Sequence, residues 1–141
     1  MVNEQAREEL EKLRELNMRI DALIEEKRKL AARVTSLVRP LSEPVSGTKR
    51  SDIANAAAKL ADMDTEIDNT IDEYSDRKKR ILIRINAITD MRYRTLLFLY
   101  YANTVPLRLH EVAKMMHYQY STIKYMHGCA LDAYQEKYFP P

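Results

Sequence analysis

The residues best suited to contact a ligand form one short polar stretch in the last quarter of the sequence. They combine amide, hydroxyl and phenol groups with a single lysine: Gln119, Tyr120, Ser121, Thr122, Lys124 and Tyr125. Serine and lysine side chains hydrogen bond base edges or phosphates, and a tyrosine hydroxyl commonly reaches a phosphate oxygen. Apolar Ile123, Met126 and Ala130 recur at helical spacing through the same stretch, so the polar groups lie on the outer face of a predicted helix.

The remaining chemistry-bearing residues do not form a reactive pattern. His127 and Cys129 are two residues apart on a predicted helix and face different ways, and the sequence has no Cys-x-x-Cys or His-x-x-x-His pair. The sequence also has no Gly-rich phosphate loop and no nucleophile elbow, and its carboxylates between Asp62 and Asp76 are spaced along a helix surface. We therefore expect no metal, no cofactor and no enzymatic activity. We expect His117 in a turn, His127 in a structural or phosphate-contacting role, and Cys129 buried.

The polar stretch belongs to a pattern typical of a helix-turn-helix. Apolar residues recur at helical spacing on both sides of a short break, first as Val112, Ala113 and Met116 and then as Ile123, Met126, Ala130 and Tyr134. The small Ala113 lets the second helix cross closely, and we expect Tyr118 in the turn to fill the gap between the helices. The first turns of the second helix enter the major groove in this motif, so the expected partner is double-stranded DNA.

A further helix is predicted directly before this motif. Asp90 can cap its N-terminus, and its apolar stripe continues to about Ala102. Arg92 and Arg94 at its start are candidates for phosphate contacts beside the reading helix. Three more arginines are either additional phosphate contacts or partners of an acidic run near the N-terminus: Arg77, Arg80 and Arg84.

The first 89 residues have a different pattern, that of two long helices. A heptad seam runs from about Asn3 to Val38 without glycine or proline, and a second seam continues to Ile88. A proline-containing loop at about residues 40–50 separates the two seams. Ser51 or Asp52 is expected to cap the second helix.

The order of charges favours folding of these two helices back on each other. With the turn near residue 45, the acidic run at residues 8–15 lies opposite the basic run at residues 77–80. The basic residues of 27–33 similarly lie opposite the acidic residues of 62–68. Each exposed pair contributes only about 0.2 to 1 kcal/mol, so the pairs set direction and register. Because two helices cover only half of the apolar stripe, we expect a homodimer.

Two resemblances to known families support this interpretation of the C-terminal part. The segment Glu111–Leu131 is similar to region 4 of bacterial sigma factors, whose fixed positions are occupied by Glu111-Val112, Tyr118, Ile123 and Ala130-Leu131. Most of the chain also resembles small phage and prophage proteins of Gram-positive hosts, through the stretches Asp90–Leu97 and Met126–Leu131.

The resemblance to these phage proteins implies a transcription regulator, similar in style to the ArpU and RinA late-gene activators. The sigma-like module also implies a contact with RNA polymerase. The chain departs from the sigma pattern at its reading face, because Tyr120-Ser121-Thr122 occupies the place where primary sigma factors carry Arg-Glu-Arg. Sigma-type promoter specificity is therefore not implied.

Together these patterns predict an all-α protein with two domains. Residues 1–89 form a long antiparallel coiled-coil hairpin that serves as a dimerisation or partner arm. Residues 90–141 form a three-helix, sigma-region-4-like helix-turn-helix. The expected function is a sequence-specific DNA-binding transcription regulator of phage or prophage origin. No apolar run approaches a membrane span, and the single cysteine agrees with a reducing compartment, so we expect a cytoplasmic location in a bacterial host.

Two alternatives remain open. The first is a protein-interaction adaptor that binds a host protein without DNA. Residues 90–141 carry only six basic side chains against four acidic ones, and specific DNA-binding modules are usually more basic. The second is a small terminase-like packaging subunit, a class that also combines a helix-turn-helix with a helical oligomerisation region.

Overall fold

The protein is all-helical throughout the residues that the computed structural model describes, 3–38 and 47–141. The helices are α1 (Glu4–Val38), α2 (Gly47–Asn86), α3 (Met91–Leu97), α4 (Leu109–Met116) and α5 (Tyr120–Tyr138), and α3 continues into a π-helical turn, Phe98–Ala102. The predicted all-α class is confirmed. None of the helices in these two ranges is both long and apolar enough to cross a membrane.

The start of α2 differs from the prediction. The helix begins at Gly47, so Ser51 and Asp52 lie inside its first turns and neither of them is the cap. A cap residue only favours a helix start, and the absence of proline between Val45 and Ser51 lets the helix begin earlier. Most of the predicted loop at about residues 40–50 lies outside the described residues.

The chain divides into two compact units. Unit 1 consists of Met1–Met18 and Glu73–Pro141, and unit 2 consists of Arg19–Asp72. This division differs from the predicted domains at residues 1–89 and 90–141, because the first turns of α1 and the last turns of α2 belong with α3, α4 and α5. A heptad pattern shows that one face of a helix is buried, but it does not show which element covers that face.

The larger core of unit 1 joins α1, α2, α3 and α5. Its buried side chains are Ala6, Leu10, Leu13, Ile81, Ile85, Ile88, Leu97, Tyr101, Ala102, Ala130, Leu131 and Tyr134. Burial of one large apolar side chain contributes about 1.5 to 3 kcal/mol. The second half of α5 is therefore held by the ends of the two long helices.

Glu9 is the centre of a polar network that joins α1, α2 and α5. Its carboxylate accepts two hydrogen bonds of 2.8 Å from Arg84 Nη1 and one of 2.6 Å from the Tyr134 hydroxyl. Arg80 Nε lies 3.7 Å away, which is one contact between the predicted acidic and basic runs. The Glu9 side chain is only 12% exposed. Burial, with the hydrogen bond to Glu9, raises the pKa of Tyr134, so this phenol stays protonated and donates.

Two further side chains satisfy backbone groups in unit 1. Gln135 Oε1 accepts a 2.8 Å hydrogen bond from the Ala6 amide, one of the first amides of α1 that have no partner within the helix. Arg14 Nη1 donates to the Tyr100 carbonyl at 2.7 Å, inside the π-helical turn. These contacts fix the start of α1 and the π-helical turn that follows α3.

Unit 2 contains the remaining turns of α1 and α2. Its buried apolar side chains are Ile20, Leu23, Met63 and Ile67. Ion pairs join Arg19 to Glu66 and Lys27 to Asp64, so residue numbers rise along α1 as they fall along α2. Within unit 2 this is the order expected for antiparallel helices, and the Lys27–Asp64 pair lies within the predicted charge runs.

Candidate nucleic-acid interface

A second core of unit 1 holds α4 against the first half of α5. Its buried side chains are Leu96, Val112, Ala113, Ile123 and Met126. All of them except Leu96 come from the apolar pattern that predicted the two helices of the motif, and Leu96 comes from α3 beneath them. At the start of α4, the Glu111 carboxylate accepts a 3.1 Å hydrogen bond from the Arg108 amide, which satisfies a backbone donor next to the helix end.

The connection from α4 to α5 is a tight turn centred on His117. This residue has φ 61° and ψ 39°, the left-handed conformation that ends many helices. The Tyr118 amide donates to the Ala113 carbonyl at 3.0 Å, and the His117 amide donates to the Lys114 carbonyl at 3.2 Å. His117 therefore lies in the turn, as predicted.

Tyr118 does not fill the gap between the helices, so that prediction is wrong. Its side chain is exposed and lies outside the second core. Leu107, Leu109 and Met116 instead cover the core at this end, where they are partly buried.

The predicted reading residues are all exposed. They are Gln119, Tyr120, Ser121, Thr122, Lys124 and Tyr125. Ile123, which lies between Thr122 and Lys124 in the sequence, is buried in the core. Gln119 is the first residue before α5, yet its side chain makes no capping hydrogen bond, so its amide group remains accessible. Tyr125 is 77% exposed, the largest exposed fraction among the large apolar and aromatic side chains of the described residues.

Tyr120 is oriented by a residue of α4 that the sequence did not single out. The His110 ring stacks on the Tyr120 ring with centroids 3.6 Å apart and an angle of 12° between the planes. Lys124 Nζ lies 5.4 Å from the centroid of the same tyrosine ring. The stack thus places Tyr120 and Lys124 on the flank of α5 nearest α4. The only signal for this contact in the sequence is that His110 and Tyr120 each lie in the first turn of their helix.

Arg92 and Arg94, the predicted phosphate contacts, both have partners within the chain. Arg92 donates to the Asp90 carboxylate from its side chain at 3.0 Å and 3.3 Å, and its amide donates at 2.9 Å, so Asp90 caps α3 as predicted. The hydrogen bonds from Arg92 lower the pKa of Asp90. Arg94 donates to the Ile88 carbonyl at 2.8 Å, in the segment between α2 and α3. A phosphate would have to compete with these contacts.

Two other cations of the motif are more accessible. Arg108 precedes α4 and Lys114 lies within it, and both side chains are exposed. Neither forms an ion pair with another residue in the described ranges. Residue type and spacing alone did not favour them over Arg92 and Arg94, because the hydrogen bonds of those two arginines depend on the fold.

His127 has a structural place on the inner side of α5. Its Nε2 and the Tyr101 hydroxyl share a hydrogen bond of 2.6 Å. Burial, with a smaller effect of the charge of Arg7, lowers the pKa of His127 to about 4. Cys129 is half-buried. No group of three histidine, cysteine or carboxylate side chains is arranged to hold a metal in the part of the chain that the structure describes.

Gly128 lies on α5 one turn beyond the reading residues, at helical spacing from Ser121 and Tyr125. A Cβ atom at this position would meet no other atom within 4 Å. Glycine inside a helix costs about 1 kcal/mol relative to alanine, and no contact within the described residues requires it. The open side of α5 therefore continues past the polar stretch.

Comparison with known proteins gives no relative for this arrangement, since no family model, no curated protein and no solved structure matches the chain. The similarity to sigma region 4 and to phage regulators remains an expectation from the residues. The geometry of α4 and α5 is the basis for assigning a function.

Proposed function

We propose that the protein is a DNA-binding transcription regulator of phage or prophage origin, in which α4 and α5 act as a sigma-region-4-like helix-turn-helix. The observation that carries this proposal is the two-sided start of α5. Its polar residues from Gln119 to Tyr125 are exposed, while Ile123 and Met126 are buried against α4. A helix docked in the major groove needs such an arrangement, because one side must read bases while the other is held rigidly.

The side chains of this face suit direct contact with base edges. The Gln119 amide has the donor and acceptor pair that binds adenine, and the hydroxyls of Ser121 and Thr122 can bond to several bases. Lys124 can reach a guanine or a phosphate, and the Tyr125 hydroxyl can reach a phosphate. These residues would therefore provide the sequence preference.

Contacts to the DNA backbone would come mainly from α4. The first helix of this motif crosses the phosphate backbone, and Arg108 and Lys114 are its exposed cations. Arg94 is a weaker candidate because its guanidinium already donates to the Ile88 carbonyl between α2 and α3. The stack of His110 on Tyr120 would hold the two helices in register during binding.

This function is tested by measuring how much DNA the protein retains from a mixture of random genomic fragments at a series of salt concentrations. We expect retention that falls steeply as salt rises, with one sequence enriched. Lys124→Ala combined with Tyr120→Ala should abolish retention while helicity stays unchanged. Lys79→Ala, which removes an exposed lysine of α2, should retain DNA like the wild type. Unchanged retention by the double variant would refute the assignment of the reading face.

The second candidate function is a protein-interaction adaptor. The observation in its favour is the pair of exposed tyrosines, Tyr118 and Tyr125, since tyrosine is enriched in protein interfaces. RNA polymerase is the partner that the sigma-like resemblance implies for such a surface. The same retention assay separates the two functions, because an adaptor would hold no DNA even at the lowest salt concentration.

A further inference from the structure

Tyr125 lies at the centre of the open side of α5, opposite the core. It follows the buried Ile123 by two residues, and two residues of an α-helix turn the chain by about 200°. Ser121 precedes Ile123 by the same spacing, so it lies on the same side of the helix as Tyr125. Tyr125 is 77% exposed, so most of its aromatic surface faces solvent.

The neighbours of Tyr125 along this face are small. Ser121 lies one turn before it and Gly128 lies three residues after it, and both spacings place residues next to each other on a helix surface. A Cβ atom at Gly128 would meet no atom within 4 Å, so the described part of the chain leaves this end of the face open. The tyrosine ring therefore protrudes from a surface of small residues and can reach further into a groove than they can.

The polar end of the Tyr125 side chain lies beside its own helix. Hydrogen bonding with the thiol of Cys129, one turn further along α5, raises the pKa of Tyr125. The phenol is therefore uncharged at neutral pH, and its hydroxyl lies near Cys129. The apolar surface of the ring remains free for a contact outside the chain.

The side chains that select a G·C pair are absent from the centre of this face. Arginine or lysine is the usual reader of guanine, and aspartate or glutamate accepts a hydrogen bond from cytosine. From Gln119 to Gly128 the sequence has no arginine, aspartate or glutamate, and Lys124 is its single lysine. Lys124 Nζ lies 5.4 Å from the centroid of the Tyr120 ring, on the flank of α5 nearest α4. The centre of the face therefore offers a hydroxyl and an apolar ring.

We propose that α5 reads a thymine in the major groove, with the ring of Tyr125 packed against the C5-methyl group of the base. This inference rests on the proposed DNA-binding function and assigns its base preference. The thymine methyl is the apolar group that base edges present in the major groove, and apolar side chains are its usual contacts. Packing removes both the ring and the methyl group from water. Loss of that methyl group should weaken binding about fourfold.

Replacing thymine by uracil in the bound DNA tests this contact, because uracil keeps every hydrogen-bonding group of thymine and lacks only the methyl group. The probe is the duplex that the full chain enriches from random-sequence DNA. It is synthesised with thymine throughout and then with uracil at each thymine position in turn. We expect the enriched duplex to contain a thymine at which uracil lowers the affinity about fourfold.

Variants of Tyr125 show whether its ring makes the contact. Tyr125→Ala should weaken binding to the thymine duplex and bind both duplexes equally. Tyr125→Phe should keep the fourfold preference, because the ring is retained and the hydroxyl is not needed. Lys124→Ala is the matched control from the flank of the same helix, and it should weaken binding to both duplexes by the same factor.

Failure of the thymine contact and failure of DNA binding give different results. Sequence-specific binding with equal affinity for thymine and uracil at every position would overturn the thymine contact alone. A preference for thymine that persists in Tyr125→Ala would overturn it as well. No retention of DNA at the lowest salt concentration would overturn both the contact and the proposed function.

Discussion

At the scale of single residues, His127 determines how stability depends on pH. Its pKa is about 4 in the folded protein and about 6.5 in an unfolded chain, because the buried ring beside Tyr101 is costly to charge. The unfolded chain therefore binds a proton as the pH falls through 6.5, while the folded protein does not until the pH nears 4. The contribution to stability is complete above pH 6.5 and is lost on acidification between these values.

We therefore predict that the free energy of unfolding falls by about 1 to 2 kcal/mol between pH 7 and pH 5 because of this residue. His127→Gln should remove that fall, since glutamine does not titrate and still offers Tyr101 a hydrogen-bond partner. Urea denaturation of both proteins at several pH values provides the measurement. Parallel pH profiles for wild type and variant would assign the effect to other groups.

At the scale of secondary-structure elements, α5 has two halves with different surroundings. In its second half, the side chains of Leu131, Tyr134 and Gln135 are buried against the start of α1 and the end of α2. Its first half faces α4 on one side only and is exposed on the other. Gly128 lies where these halves meet, with open space at the position that a β-carbon would occupy.

Gly128→Ala should raise the stability of the protein and lower its DNA retention. Alanine should raise the free energy of unfolding by about 0.5 to 1 kcal/mol, because it loses less conformational freedom in a helix than glycine. The added methyl group should nevertheless reduce DNA retention, if the DNA backbone approaches α5 at this point. Ser75→Ala on the exposed side of α2 is the control, with a gain in helix stability and unchanged retention. Increased stability with full retention would show that nothing approaches Gly128.

The periodicity of the sequence was sufficient to predict α1, the cap at Asp90 and the buried residues of α4 and α5. It did not predict what covers the long helices. An apolar stripe such as Leu10 and Leu13 on α1, or the one that includes Ile81 on α2, can pack against many different partners. The periodicity also did not predict the exposure of Tyr118, or the left-handed backbone of His117, which a non-glycine residue rarely adopts. The bonds of Arg94 and the stack of His110 on Tyr120 arise only when separate elements meet.

At the scale of the whole molecule, the net charge of +2 allows only a modest electrostatic contribution to DNA binding. The exposed cations of the proposed interface are Arg108, Lys114 and Lys124. Each phosphate that is neutralised releases counterions and adds about 0.9 to the slope of log affinity against log salt. Affinity would therefore depend on using two copies of the interface at once.

For the plot of log affinity against log salt, we predict a slope of about −3 when one copy of the interface binds DNA. A dimer that uses two copies should give a slope of about −5. A variant that is monomeric in solution should thus bind DNA more weakly and with roughly half the wild-type slope. Fluorescence anisotropy across a salt series measures both quantities. An identical slope for the two proteins would mean that a single copy makes all the phosphate contacts.

The hydrogen bond from Tyr134 to Glu9 joins residues 125 positions apart in the chain. Contacts of such high sequence separation form late, since the loss of entropy on closing so long a loop precedes any gain from the contact. During synthesis, the first turns of α1 therefore cannot gain their contacts with α5 until Tyr134 has left the ribosome. Unit 2 needs only residues of α1 and α2, so its contacts can form while the reading helix is still being translated.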